Sequence, residues 1–276
     1  MSLWEFFVAL ILGIVEGLTE FAPVSSTGHM IIVDDLLLQS KELFNEPVAN
    51  TFKVVIQLGS ILAVVIVFKD RILNLLGLTK KDIGTTEAKD QLGLKKLFVG
   101  ILPAGLLGVL FEDYIDEYLF SVNTVVIGLV LGAILMIVAD YMRPKTPKVN
   151  TVDEITYLQA LAIGSFQCLG LWPGFSRSGS TIAGGVLLGM SHRAASDFTF
   201  IMAIPIMAGA SGLSLLKNWE YFSVDVLPFM ATGFIAAFIV ALISIRFFLK
   251  LINRIKLVPF AIYRIVLAGL IYVLYF

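Results

Sequence analysis

Residues 16–28 read Glu16-Gly-Leu-Thr-Glu-Phe-Ala-Pro-Val-Ser-Ser-Thr-Gly28, and residues 167–179 read Gln167-Cys-Leu-Gly-Leu-Trp-Pro-Gly-Phe-Ser-Arg-Ser-Gly179. The two align without gaps at an offset of 151, with Leu18/Leu169, Phe21/Trp172, Ser25/Ser176 and Gly28/Gly179 matching closely and Thr27/Ser178 conservatively. Each lies at the centre of an apolar region about 36 residues long, 3–38 and 155–190. That length suits two short helices. The first region carries Glu16, Glu20 and Pro23 near its middle, and the second carries Pro173, Gly174 and Arg177. We read both as re-entrant hairpins that enter a bilayer, break at depth and return, because irregular backbone in a membrane survives only inside protein or beside a watery cavity. Two full spans joined by an exterior turn is the alternative.

Composition agrees with a membrane setting. The chain has 276 residues, 58% hydrophobic and 15% charged, with a mean hydropathy of +0.92. Soluble domains are about a quarter charged, so a soluble enzyme is excluded. A net charge of −1 and a pI near 6.1 argue against a nucleic-acid binder, and one cysteine, Cys168, against a disulfide scaffold. Continuous rather than alternating apolar runs argue against a β-barrel. The run from Leu3 has no basic leader and carries Glu5, so no cleavable signal is expected.

A spanning helix needs about 20 apolar residues. Six stretches meet or approach this: 54–68, 97–111, 118–139, 198–216, 226–245 and 257–276, the last interrupted only by Arg264. The expected fold is an all-α polytopic membrane protein of one domain, with six spans and two hairpins. Hairpin plus three spans occurs twice, with repeat one about 1–143, repeat two about 153–276 and the linker at 144–153. A hairpin does not change side but three spans do, so the second repeat is inverted, an arrangement in which broken helices mark a binding site. In this arrangement fifteen Lys/Arg fall on one side and two on the other, which places both termini outside.

Glu16 and Glu20 are four apart and share a helix face. Ionisable groups at membrane depth are functional candidates by default. Two adjacent carboxylates require a retained proton or a cation between them; Mg²⁺ or Ca²⁺ with oxygen ligands would satisfy both. A structural pair held by an arginine on another helix is the alternative. Beyond them Ser25, Ser26, Thr27, Gly28 and His29 open a helix, which offers N–H groups to an anion and an imidazole for proton exchange. The second loop brings Arg177 with Ser176, Ser178, Gly179, Ser180 and Thr181, a guanidinium fork and hydroxyls suited to phosphate. If the loops meet, they form a deep site for a lipid phosphate, with phosphoryl transfer or hydrolysis as the fitting chemistry.

These motifs, together with 54–63 (VVIQLGSILA) and 259–264 (PFAIYR), resemble the undecaprenyl-diphosphate phosphatase family linked to bacitracin resistance. The resemblance implies hydrolysis of undecaprenyl diphosphate to the monophosphate and phosphate in the bacterial cytoplasmic (inner) membrane, with a pocket opening outward and a divalent cation. It implies catalytic roles for Glu16, Glu20, Ser26, His29 and Arg177, with Ser176 and Thr181 beside the arginine and Glu16 and Glu20 as metal ligands; the loop reading adds phosphate contacts from Ser25, Thr27, Gly28, Ser178 and Gly179. Serine or water as nucleophile stays open. The expected partners are the polyprenyl diphosphate and the bilayer, with a homodimer as the candidate assembly. A polyprenyl-phosphate flippase on the same frame is the rival function, and a non-catalytic scaffold a third. Asp34 and Asp35, one turn past His29, are expected to reach water at the hairpin exit.

Overall fold

The computed structural model describes residues 2–44, 46–78, 92–119, 121–221 and 223–275. They fold as helices, and the β-pairing among them is a lone parallel bridge between Val149 and Met190. Five helices are long and apolar enough to cross a membrane. Lys80, Lys81 and Lys89, which contribute to the charge asymmetry, and Phe120 of the 118–139 stretch lie outside the described residues.

Helix α1 (Leu3–Thr19) starts at a reciprocal cap: Ser2 Oγ accepts the Glu5 N–H at 3.1 Å while Glu5 accepts the Ser2 N–H at 2.8 Å. Glu5 is therefore part of a helix start. The chain then breaks, and α2 (Ser26–Met30) runs on as π-helical turns through Ile31–Leu38. It stops at Gln39, whose backbone is left-handed (φ 49°). This corrects one expectation. Asp35 is exposed, but Asp34 is fully buried: it accepts from Ser40 N–H and Oγ at 3.0 Å each and pairs with Lys53 at 2.7 Å. The returning segment leaves the interior at Gln39, and a buried ion pair substitutes for water at Asp34.

A short α3 (Ser40–Leu43) leads to α4 (Glu46–Val67), which begins eight residues before the uncharged run at 54 because Lys53 is neutralised within the helix. Then come α5 (Lys69–Leu75), α6 (Leu94–Leu110, 17 residues, with Pro103 inside), α7 (Glu112–Leu119) and α8 (Val122–Met142). After the linker, α9 (Tyr157–Leu169) and α10 (Arg177–Leu187) form the second broken pair. Three long helices follow, α11 (His192–Lys217), α12 (Leu227–Ile255) and α13 (Val258–Tyr275). Helix α12 runs ten residues past 245 and carries Arg246, Lys250 and Arg254 in its last turns, since helical hydrogen bonding continues after the apolar run ends.

In each broken pair, residues from the start and the close of the pair come together. Val33, Leu38 and Phe44 pack in one cluster with Val8 of α1 and Val226 and Phe229 at the start of α12. In the second pair, Gln159 Nε2 in the first turn of α9 donates to the Leu188 carbonyl just after α10, at 3.2 Å. Packing crosses between halves. Helix α1 lies along α12, and α9 along α6. The contacts depend on glycine at an offset of 151: a methyl on Gly13 would press into the Gly233 carbonyl of α12, and one on Gly164 into the Gly100 carbonyl of α6. Helices α8 and α13 also pack together, as do α4 and α11. The two breaks thereby meet inside the bundle.

Candidate active site

Glu20 continues the last turn of α1, its N–H bonded to the Glu16 carbonyl at 3.0 Å. The chain turns at 20–24 and reaches Ser25, which adopts φ 70°, ψ 99° and accepts the Gly28 N–H on its side chain at 3.3 Å. The second break repeats this: Ser176 adopts φ 72°, ψ 113° and accepts the Gly179 N–H at 3.1 Å. Positive φ is uncommon and strained for serine, and the side-chain cap offsets part of that strain. The residues that follow, Ser26 and Arg177, stand at the first position of their helices.

Both of them reach Glu20. Ser26 Oγ donates to Glu20 Oε2 at 2.7 Å, and Arg177 Nη2 donates to Oε1 at 3.2 Å. One carboxylate thus links a hydroxyl from its own loop with a guanidinium from a loop 157 residues away. Ser178 Oγ adds a second tie between the loops, donating to the Ala22 carbonyl at 3.2 Å. A cavity of about 200 Å³ opens here, walled by Glu20, Ser25, Ser26 and Thr27 on one side and by Trp172 to Gly174 and Ser176 to Ser178 on the other. Gln57 of α4 and Met207 of α11 complete it. Glu16 is buried, with Oε1 lacking a hydrogen-bond partner, and Arg177 Nη1 is likewise buried and unpartnered.

Residues 9–270 match the family model described as bacitracin resistance protein BacA. The chain belongs to this family. BacA-family relatives named undecaprenyl-diphosphatase include one from Geobacillus sp. (strain WCH70), 69% identical over the full length of both chains. Another, from Bacillus subtilis (strain 168), is 67% identical over 97% of each chain. A third, from Exiguobacterium sibiricum, is 62% identical over 99% of each.

In this BacA chain five of the residues singled out from sequence, Glu16, Gly28, His29, Gly179 and Thr181, do not line the cavity. Thr181 Oγ1 donates to the Arg177 carbonyl at 2.8 Å and accepts from Thr199 at 2.9 Å, bracing the start of α10 from behind. The N–H groups of Gly28 and Gly179 are taken by the serine caps rather than aimed at a ligand. His29 does not line the polar cavity either. Its Nδ1 lies 2.8 Å from the Ser25 carbonyl, which only accepts, so Nδ1 carries the proton. In the neutral ring Nε2 then accepts from Tyr263 OH at 2.7 Å, and the two rings stack at 5.6 Å. This ring lines a neighbouring apolar groove.

Four residues in or beside the candidate site stood in the quoted motifs but were given no site role from sequence: Gln57, Trp172, Tyr263 and Arg264. Trp172 Nε1 donates to the Thr124 carbonyl at 2.9 Å and fixes the second loop to α8. Arg264 is fully buried, and no carboxylate pairs with it among the described residues. Its Nη2 donates to the carbonyls of Gly128, Gly174 and Phe175 at 3.2, 2.9 and 2.8 Å, which clamps the turn that delivers Ser176 and Arg177. Gly174 itself sits at φ +90° against the Val125 backbone, where a side chain would collide. The signal for Arg264 was present: a charge inside an apolar span is a functional candidate by the same rule that selected Arg177.

Proposed function

We propose that the chain hydrolyses undecaprenyl diphosphate to undecaprenyl phosphate and inorganic phosphate, recycling the lipid carrier of the cell envelope and so conferring bacitracin resistance. The observation that carries this reading is Glu20 holding Ser26 and Arg177 together in one cavity within an apolar helical bundle. A diphosphate supplies the anion that such a site recognises, and a polyprenyl tail explains why a polar site sits among membrane helices.

Arg177 presents its unpartnered Nη1 and its Nη2 as a fork to phosphate oxygens. The hydroxyls of Ser25, Thr27, Ser176 and Ser178 add contacts. Glu20 accepts the Ser26 proton as Oγ attacks the terminal phosphorus; the bond to the bridging oxygen breaks, and the lipid monophosphate leaves. Water then hydrolyses the phosphoserine. Direct attack by water from the same position is the other route, and trapping phosphoserine at residue 26 distinguishes them. His29, once its bond to Tyr263 opens, carries the proton to solvent. In the alternative in which neither carboxylate acts as base, Glu16 and Glu20, one turn apart and one with an unpartnered oxygen, would together hold a Mg²⁺ or Ca²⁺. When bound, the ion offsets charge on the departing phosphate.

The architecture belongs to the same proposal: six spans, α6 among them, and two re-entrant hairpins in inverted repeats of about 1–143 and 153–276 within one membrane domain. The returns of both broken pairs, the matching Ser25 and Ser176 backbones and the crosswise packing of α1 and α9 support it. We place the protein in the bacterial cytoplasmic membrane with the cavity opening outward.

The test is phosphate release from a polyprenyl diphosphate by purified protein in detergent, with and without EDTA, for wild type and Arg177→Ala. Wild type should release phosphate, EDTA should suppress it, and the substitution should lower it roughly 10²–10³-fold. The same duplicated broken helices also suit a transporter. Lipid translocation in vesicles without release in detergent would favour that reading, and release indifferent to Arg177→Ala would remove the catalytic one.

A further inference from the structure

Apart from the Glu20–Arg177 site, a cavity of about 560 Å³ lies where α8 ends and α12 turns into α13. Arg143, Lys145 and Lys256 line it, and among the described residues Asp140 is the one carboxylate in its wall. That carboxylate is committed elsewhere. Its Oδ2 accepts the N–H groups of Leu257 and Val258 at 2.8 and 3.0 Å, and its Oδ1 lies 2.6 Å from His192 Nε2. Arg143 reaches it only at 3.8 Å. The cavity therefore keeps an excess of positive charge. Its wall residue Ile255 also borders the apolar groove of about 480 Å³ that His29 and Tyr263 line, whose other walls include Leu18, Val33 and Phe260. A cationic mouth that shares a wall with an apolar groove is complementary to an amphiphile with an anionic head and a hydrocarbon tail.

We propose that the cationic cavity is a second head-group site, distinct from the Glu20–Arg177 cavity, that takes a phosphate-headed lipid whose tail enters the groove. The phosphate lies among Arg143, Lys145 and Lys256, and the tail runs along Leu18, Val33 and Phe260. Basic pockets between membrane helices hold anionic headgroups in this manner. The lipid is either a bulk anionic phospholipid or a polyprenyl monophosphate, and the two share the recognised chemistry. The site rests on the membrane setting of the bundle and not on catalysis.

Native mass spectrometry of the delipidated, detergent-solubilised protein tests this. The titrants are phosphatidylglycerol, a C55 polyprenyl monophosphate, phosphatidylcholine and inorganic phosphate. Arg177→Ala serves as the background, so that the catalytic cavity does not contribute. One of the two anionic lipids should bind, and whichever binds more tightly identifies the source. In R143Q/K145Q/K256Q its affinity should fall roughly 100-fold, while R143K/K145R/K256R should bind normally, which separates lost charge from misfolding. Leu18→Trp, which fills the groove, should weaken the same lipid. Equal binding by the glutamine variant, equal retention of phosphatidylcholine, or competition by inorganic phosphate at lipid concentrations would each overturn the proposal. On the otherwise wild-type chain the glutamine variant should leave phosphate release unchanged, so failure here and failure of the hydrolytic reading are told apart.

Discussion

Glu20 joins the two loops, and its two oxygens serve different partners, a hydroxyl at 2.7 Å and a guanidinium at 3.2 Å. Glu20→Gln keeps the shape but removes the charge that both donors seek. Phosphate release by the purified variant should drop roughly 10²–10³-fold, and wild-type turnover would exclude the carboxylate from the reaction. Arg264 acts at one remove, through the carbonyls of Gly128, Gly174 and Phe175. Arg264→Met leaves these buried acceptors unsatisfied, at a cost of about 1–3 kcal/mol or more. Its melting temperature should fall, with Arg264→Lys recovering only part because an ammonium cannot span the same carbonyls. At this scale the sequence was legible where charge sits against an apolar background, as for Glu16, Glu20 and Arg177. Directions were not legible. That His29 turns toward Tyr263, 234 residues on, follows from a helix pairing that local spacing does not encode. The burial of Asp34 depends in the same way on Lys53 arriving from another helix.

The two broken helix pairs were visible as elements because a polar, proline-bearing centre interrupts an apolar region too long for one helix and short for two. Helix ends were less visible. The apolar run tells where hydrocarbon contact stops, whereas α12 continues for as long as its backbone bonds are made, to Ile255. What holds α1 against α12 is a close backbone approach at Gly13. Gly13→Val forces the helices apart, and overpacking of this kind typically costs about 1–3 kcal/mol. The variant should melt lower and release phosphate more slowly, since α1 delivers Glu16 and Glu20. Gly209→Ala is the control: a methyl there meets nothing within 4 Å, so stability should hold or rise slightly.

For the whole molecule, the decisive sequence feature was the duplicated motif, and its structural counterpart is the pair of serines with nearly equal backbone angles. The proposed inverted arrangement makes a sidedness prediction. In a Cys168→Ser background, Glu42→Cys and Lys217→Cys should react with a membrane-impermeant maleimide on intact cells. Lys145→Cys should react only after permeabilisation. Labelling of all three from one side would reject the inversion.

The crosswise contact between residue 13 and residue 233 also sets an order of events during synthesis. The first broken helix pair leaves the ribosome long before its supporting helix exists. It must wait in the lipid with two acids and a strained turn uncovered, or be sheltered by the insertion machinery until translation is nearly finished. Assembly of the candidate site is therefore a late step, coupled to completion of the polypeptide, and a chain truncated before α12 would leave its first broken helix pair without a seat.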